Sequence, residues 1–305
     1  MVLKRAGILI AALAVLGAAP QNPLVRAREL YNQQQYDAAI AAAREARATP
    51  GLADAAAVVF GRAHLERYRI SSDTADLSAA RESLVGIETA RLAARERLEL
   101  LTGLGQLLYL EGHYGAAAEL FGAALGGAAA DAASRESILD WWAMSLDHEA
   151  QAAGDTERRQ LYARMLERVE PAAAGDQPSA AAMYWVAAAA AGMDDFGRAW
   201  HAAIAAWVRA PLAPGPRASL RADLERLVQQ VVIPGRAVTL APSAEPKQTI
   251  AGMQSEWNAI KELGLRRGGA GFISGREPPR AWRPCRPTVP RRRGSSPSAP
   301  RRPAG

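Results

Sequence analysis

His148 and Glu149 are the residues in this sequence that come nearest to a catalytic signature. A zinc-protease helix needs a second histidine four residues after the first, so that both imidazoles share one face with a general-base glutamate. That position is Ala152, and the other histidines (64, 113 and 201) are scattered along the chain. Gly103-x-Gly105 is too short for a dinucleotide-binding turn and follows no strand-like run. There is no phosphate-binding loop, no G-x-S-x-G nucleophile turn and no pair of carboxylates at a suggestive spacing. Asp194-Asp195 precedes Phe196 in a turn, where an aspartate caps a helix. The single cysteine, Cys285, excludes an intramolecular disulfide and a thiolate metal cluster within this chain. The reading is therefore non-catalytic: no active-site residues, no cofactor and no metal.

What the sequence does repeat is a packing pattern. Alanine, the best helix former, dominates, and no long run alternates apolar and polar residues with β-branched ones, so an all-α protein is expected. Ala27-Tyr36-Ala39-Ala43-Ala46, Gly105-Tyr114-Ala117-Phe121-Ala124 and Ala187-Phe196-Ala199-Ala203-Ala206 share one spacing. A small residue lies nine before an aromatic, and steps of three, four and three follow. The copies are 78 and 82 residues apart, from Tyr36 to Tyr114 to Phe196. A divergent copy fills each gap. Gly61 precedes Leu77, Ala80, Leu84 and Ile87; Ala143 precedes Arg159, Tyr162, Leu166 and Val169. In both, the small residue lies sixteen before the series, so each carries a seven-residue insertion, expected in the connection before the second helix. Asp73-Thr74 and Asp155-Thr156 lie there and are the expected N-caps. Pro50, Pro171 and Pro211 fall where second helices should stop.

The expectation is an α-solenoid of about five helical hairpins, alternately short and long, over about 24–211. Small residues let the two helices of each hairpin approach, and neighbouring hairpins stack because one alone cannot bury its apolar face. A helix over about 218–232, with Leu220, Leu224, Leu227 and Val231, caps the stack and completes a repeat domain over 20–232. Residues 233–246 read as a loop. An amphipathic helix over about 247–263 follows, with Ile250, Met253, Trp257, Ile260 and Leu263. Trp141, Trp142, Trp185, Trp200 and Trp207 read as core residues at helical spacing.

The spacing resembles the tetratricopeptide repeat family. Segment 98–125 carries the resemblance best, through Leu101, Leu104-Gly105, Leu108, Gly112, Tyr114, Ala117, Phe121 and Ala124-Leu125. The first and third copies lack the turn glycine, and Ala43 and Ala203 stand where a large residue is usual. The resemblance covers about 190 residues. It implies a right-handed superhelix whose concave groove is lined by first helices. In that register Tyr31, Tyr109 and Tyr184 face the groove, with Thr102 and Gln106 beside Tyr109. Such a surface suits an extended or helical peptide. The alternative is that the tyrosines pack against the next repeat with their hydroxyls at the rim.

The two ends of the chain differ from its middle. Lys4 and Arg5 precede an apolar run, Ala6–Ala19, too short at about 1.5 Å per residue for a roughly 30 Å bilayer core. Residues 1–19 read as a secretory signal, or as an uncleaved membrane anchor because Pro20 opposes cleavage. Residues 264–305 hold eleven Arg against one Glu and eight of the nineteen prolines. They read as a disordered tail, although an out-of-frame stretch would have the same composition. The overall charge of +6 is thus a basic tail on a mildly acidic body. The sequence reads as an exported scaffold, periplasmic or secreted, that binds a protein or peptide in its groove, in the assembly of an envelope complex. An enzyme with a site near the C-terminal helices, or binding of nucleic acid or an anionic polymer by the tail, are the alternatives; export argues against nucleic acid.

Overall fold

The computed structural model describes residues 22–127, 130–212, 217–240 and 246–268. Helices succeed one another as antiparallel pairs: α1 (Pro23–Asn32) with α2 (Tyr36–Arg47), α3 (Ala53–Ser71) with α4 (Thr74–Leu84), and α5 (Ala94–Leu110) with α6 (Tyr114–Gly126). The fourth and fifth pairs are α7 (Ala132–Ala152) with α8 (Asp155–Ala174), and α9 (Ala180–Gly192) with α10 (Phe196–Arg209). Each second helix also packs against the next first helix, and first helices touch first helices. The protein is all-α, a sequential stack consistent with a helical repeat array.

The short pairs repeat in atomic detail. Their three-residue turns each contain one residue at positive φ: Gln34 at 61°, Gly112 at 84° and Asp194 at 63°. The next amide donates five residues back, Gln35 to Leu30, His113 to Leu108 and Asp195 to Ala190, at 2.8–3.0 Å. This is the left-handed C-terminal turn that glycine favours. Tyr36, Tyr114 and Phe196 are the first residues of their helices, as the spacing predicts.

The seven extra residues of the long pairs are not in a connection. Only Ser72-Asp73 joins α3 to α4, and only Ala153-Gly154 joins α7 to α8. The insertion is helical and is shared by both helices of the pair: α3 runs ten and α7 nine residues past the small residue, against five in α1, α5 and α9, while α4 and α8 begin three and four residues ahead of the repeated series. Each helix thus gains about one turn of 3.6 residues, and the hairpin lengthens on both sides together. Asp73 is the expected cap and accepts from the Ala75 amide at 3.0 Å. Asp155 is not a cap: Gly154 holds that place, and the Asp155 carboxylate meets Arg158 at 3.1 Å. Pro171 does not stop α8 either. Proline forfeits one backbone bond in the last turn, while Val169 is fully buried and Ala172 and Ala173 pack against the core, so the helix runs three residues further.

The two helices of a pair approach where a small residue on one meets its counterpart on the other. A Cβ on Gly105 would lie 2.8 Å from the Phe121 ring, and one on Gly61 would lie 2.6 Å from Leu84 Cγ. At the matching places, Ala27 faces a repeat with Ala43, and Ala187 one with Ala203; all four are fully buried. Glycine thus stands opposite Phe121 and Leu84 and alanine opposite Ala43 and Ala203, while the fourth pair sets Ala143 at the register of Leu166. The five tryptophans expected in the core are buried there.

Beyond α10, α11 (Arg217–Leu227) continues through a π turn (Val228–Val232) into α12 (Ile233–Leu240). The expected loop from 233 is therefore helical up to 240, despite Pro234 and Gly235. The π turn routes the Ile233 amide to the Val228 carbonyl just ahead of the proline. Gly235 is required by packing, since a Cβ there would lie 2.3 Å from the Phe196 ring. The last helix, α13 (Pro246–Gly268), extends into the segment read as tail. It buries Met253 and Trp257 against Trp200 and Trp207 and so closes the end of the stack. The signal or anchor segment, and the tail beyond Gly268, lie outside the described residues.

Gly105→Ala should cost about 1–3 kcal/mol by overpacking, and Phe121→Ala about 3–5 kcal/mol by opening a cavity. The double variant restores the Ala–Ala pairing of the first and fifth pairs. It should lose less than the sum of the two, as measured by denaturant unfolding.

Candidate functional site

A cleft of about 320 Å³ opens on the face built from first helices, lined from α1, α3, α5 and α7. Its position follows from the repeat. The residue just after the small packing residue is Arg28 in the first pair, Arg62 in the second and Gln106 in the third. Successive first helices thus present a polar side chain at the same level.

Tyr31, Thr102 and Gln106, three of the five residues expected in a groove, line this cleft together. Arg62 Nη2 donates to the Tyr31 hydroxyl at 3.2 Å, and its guanidinium lies 4.7 Å from the centre of the Tyr31 ring. Burial pushes the Tyr31 phenol well above its usual range, against the pull of Arg62, so it stays neutral. Burial also opposes the charge of Arg62, but Tyr31, Glu99 and Glu66 outweigh it and hold the guanidinium protonated. The Thr102 hydroxyl donates to its own helix, at the Leu98 carbonyl 2.8 Å away. Gln106 Nε2 donates to Glu66 Oε1 at 3.2 Å, and Arg69 donates to Glu66 Oε2 at 2.6 Å.

Tyr109 does not line the cleft. It is buried in the core, edge-on to Tyr114, Trp141 and His148 at 5.0–5.3 Å. Tyr184 is half-buried, edge-on to Trp185 at 5.1 Å. It holds the place in the fifth pair that Thr102 holds in the third, on the next first helix after the last one that lines the cleft.

Sequence reasoning passed over Arg62, Glu66, Tyr36, Ser134, Ser137 and Trp141 as cleft residues. A signal for Arg62 was present in Gly103. A Cβ there would lie 2.9 Å from Arg62 Cγ, so this second mid-helix glycine makes room for the arginine stem. Around the cleft, Arg28 donates to Glu96 at 3.3 Å and to Glu99 at 3.0 Å, joining α1 directly to α5. Arg95 meets Glu99 at 3.1 Å.

No family model, no curated protein and no solved structure matched this chain. What stands is the stack of antiparallel helix pairs and the cleft on its first-helix face.

The remaining candidates resolve into packing. The His148 ring stacks on Tyr114 at 4.4 Å, and burial lowers its pKa. Glu149 Oε2 accepts the Gly115 amide at 3.0 Å and so caps α6 from a neighbouring helix. Asp195, as expected, caps α10, accepting from the Arg198 amide at 3.0 Å. Among the described residues no three His, Cys, Asp or Glu side chains gather where they could hold a metal. None of the described helices is long and apolar enough to cross a membrane.

His64 belongs to a buried polar cluster. Its Nδ1 lies 2.6 Å from Asp76 Oδ1, and Arg67 donates to Asp76 and also to Asp37 of α2 at 2.8 Å. A carboxylate only accepts, so His64 Nδ1 carries the hydrogen. Burial would raise the Asp76 pKa, but the hydrogen bonds from Arg67 and His64 prevail and hold it below the usual carboxylate range. A depressed folded pKa contributes stability that is complete above the unfolded value of about 4 and is lost as pH falls through the folded one. Asp76→Asn should destabilise the protein by about 3–5 kcal/mol at pH 7, because it leaves Arg67 and His64 without the charge they share. The deficit should shrink below about pH 4, when the wild-type carboxyl is itself protonated; unfolding measured between pH 2 and 7 checks this.

Proposed function

We propose that this protein is a divergent tetratricopeptide-type scaffold, exported and non-catalytic, that holds an extended peptide segment of a protein partner in the first-helix cleft. The observation that carries the reading is one continuous cleft lined from four successive first helices. A surface assembled across repeats suits an elongated ligand rather than a compact one. Its lining supports the same reading. Tyr31 and Tyr36 offer aromatic area, and Asn32, Gln34, Ser134 and Ser137 offer neutral hydrogen-bonding groups. Its carboxylates are engaged in ion pairs, Glu66 with Arg69 and Glu99 with Arg28 and Arg95, rather than set beside a nucleophile. The repeat spacing and the shared turn geometry support the family assignment. Lys4-Arg5 ahead of Ala6–Ala19 supports export, and a role in envelope assembly follows from that location.

The test is selection of binders from a random dodecapeptide library with blocked termini, using the full chain. Ser137 and Asn32 are exposed on the rim. Ser137→Trp and Asn32→Trp should each fill the cleft without disturbing the core and weaken selected peptides by about tenfold or more, roughly 1.4 kcal/mol. Removing residues 269–305 should leave affinity unchanged. Binding that survives both tryptophans and disappears with the tail would move the site to the arginine-rich segment.

A further inference from the structure

The charges around the cleft do not balance. Three carboxylates, Glu66, Glu96 and Glu99, stand among four guanidiniums, Arg28, Arg62, Arg69 and Arg95. Each carboxylate is bonded to a guanidinium other than Arg62: Glu66 to Arg69, Glu96 to Arg28, and Glu99 to Arg28 and Arg95. No carboxylate among the described residues lies within ion-pair distance of Arg62, so the surplus charge resides on that side chain. Its Nη2 has only the neutral Tyr31 hydroxyl, and its buried Nε has no hydrogen-bond partner among the described residues. Glu66 and Glu99 stabilise the Arg62 charge through space but neither bonds to it, so its fork is left open to a carboxylate from outside.

A second unmet group lies in the same wall. Gln106 is almost fully buried, and with its amide nitrogen committed to Glu66 its Oε1 has no donor among the described residues. Arg62 lacks an acceptor that carries charge, and Gln106 lacks a donor. An acidic residue within a peptide supplies both, a carboxylate from its side chain and an N–H from the main chain.

We propose that the cleft selects acidic peptides, with Arg62 pairing an Asp or Glu side chain of the ligand and Gln106 Oε1 accepting a nearby main-chain N–H. This rests on the peptide-cleft reading above and names the ligand chemistry within it. The Arg62 stem passes over Gly103, so the guanidinium is held from below by α5 and in front by Tyr31. A fork fixed on two sides is suited to a carboxylate, because little rotamer freedom remains to be lost on binding.

The experiment uses peptides selected by the full chain from the same dodecapeptide library, whose amidated C-termini leave side chains as the only carboxylates. The selected sequences should share an Asp or Glu at one register. Exchanging that residue for Asn or Gln should weaken binding at least about tenfold, and exchanging it for Lys should abolish it. Arg62→Gln should erase the acid preference, so that acid and amide peptides bind alike, whereas Arg62→Lys should keep a reduced preference. Arg62→Gln without ligand should still unfold cooperatively, a melt that verifies folding before its binding is compared. Selected peptides with no shared acid, or a preference that persists in Arg62→Gln, would overturn the assignment to Arg62 and leave the peptide cleft standing. A library that yields no peptide sensitive to Ser137→Trp would instead remove the cleft reading itself.

Discussion

Close approach of two helices at one small residue is the constraint on which the rest of this structure depends. Where Phe121 or Leu84 fills the space between helices, the opposite residue must be glycine. Where Ala43 or Ala203 stands there, alanine is enough. A mid-helix glycine sacrifices about 1 kcal/mol of helix propensity relative to alanine. Gly61, Gly103 and Gly105 are thus tolerated in long helices because each removes a steric conflict larger than that cost. Once the small residue is placed, the phase of its helix is set, and with it which residues face the partner helix and which face outward.

The same constraint explains how pairs of unequal length share one stack. Four or five residues added to the first helix and three or four to the second are about one turn each, so both sides of the long hairpins grow beyond the point of close approach without disturbing it. The extra length is then available to reach neighbours. Arg67, in the longer part of α3, engages Asp76 on α4 and Asp37 on α2, and His64 one turn before it engages Asp76. Glu149, in the corresponding part of α7, caps α6. Added helix has become inter-hairpin contact rather than a loose loop.

Much of the architecture was legible because packing in a repeat is periodic and therefore visible in spacing. Tyr36, Tyr114 and Phe196 announced their helix starts, and both gaps announced their divergent pairs. Elements governed by single tertiary contacts were hidden. Pro234 and Gly235 read as breakers because local propensity carries no record of the π turn before them or of the Phe196 ring against them. Pro171 read as a stop because its neighbours' burial is not a local property. The insertion was assigned to a connection because periodicity counts residues without saying whether they are helical. In the cleft, neutral polar positions were found through the repeat register, whereas Arg62 and Glu66 passed as ordinary solvated charges. Tyr109 went the other way: its level in the register is that of Tyr31, but α7 sets Trp141 and His148 against it where α3 carries Val59 and Glu66.

That contrast between Tyr31 and Tyr109 also says why the cleft lies where it does. Both tyrosines end a first helix and both meet the first aromatic of the second helix edge-on, Tyr36 at 5.8 Å and Tyr114 at 5.2 Å. Tyr109 is then covered by α7, and its surroundings become core. Tyr31 instead carries the Arg62 guanidinium over its ring and lines the cleft. At the place following the small residue, the first three pairs carry Arg28, Arg62 and Gln106, whereas the fourth and fifth carry Met144 and Ala188. The change from polar to apolar at one repeated position divides the first-helix face into a part that remains wet and a part that packs. The Arg62 guanidinium is held over an aromatic ring with none of its nitrogens bonded to a carboxylate among the described residues. Its presence at the boundary of these two parts is understandable if that position is read from outside.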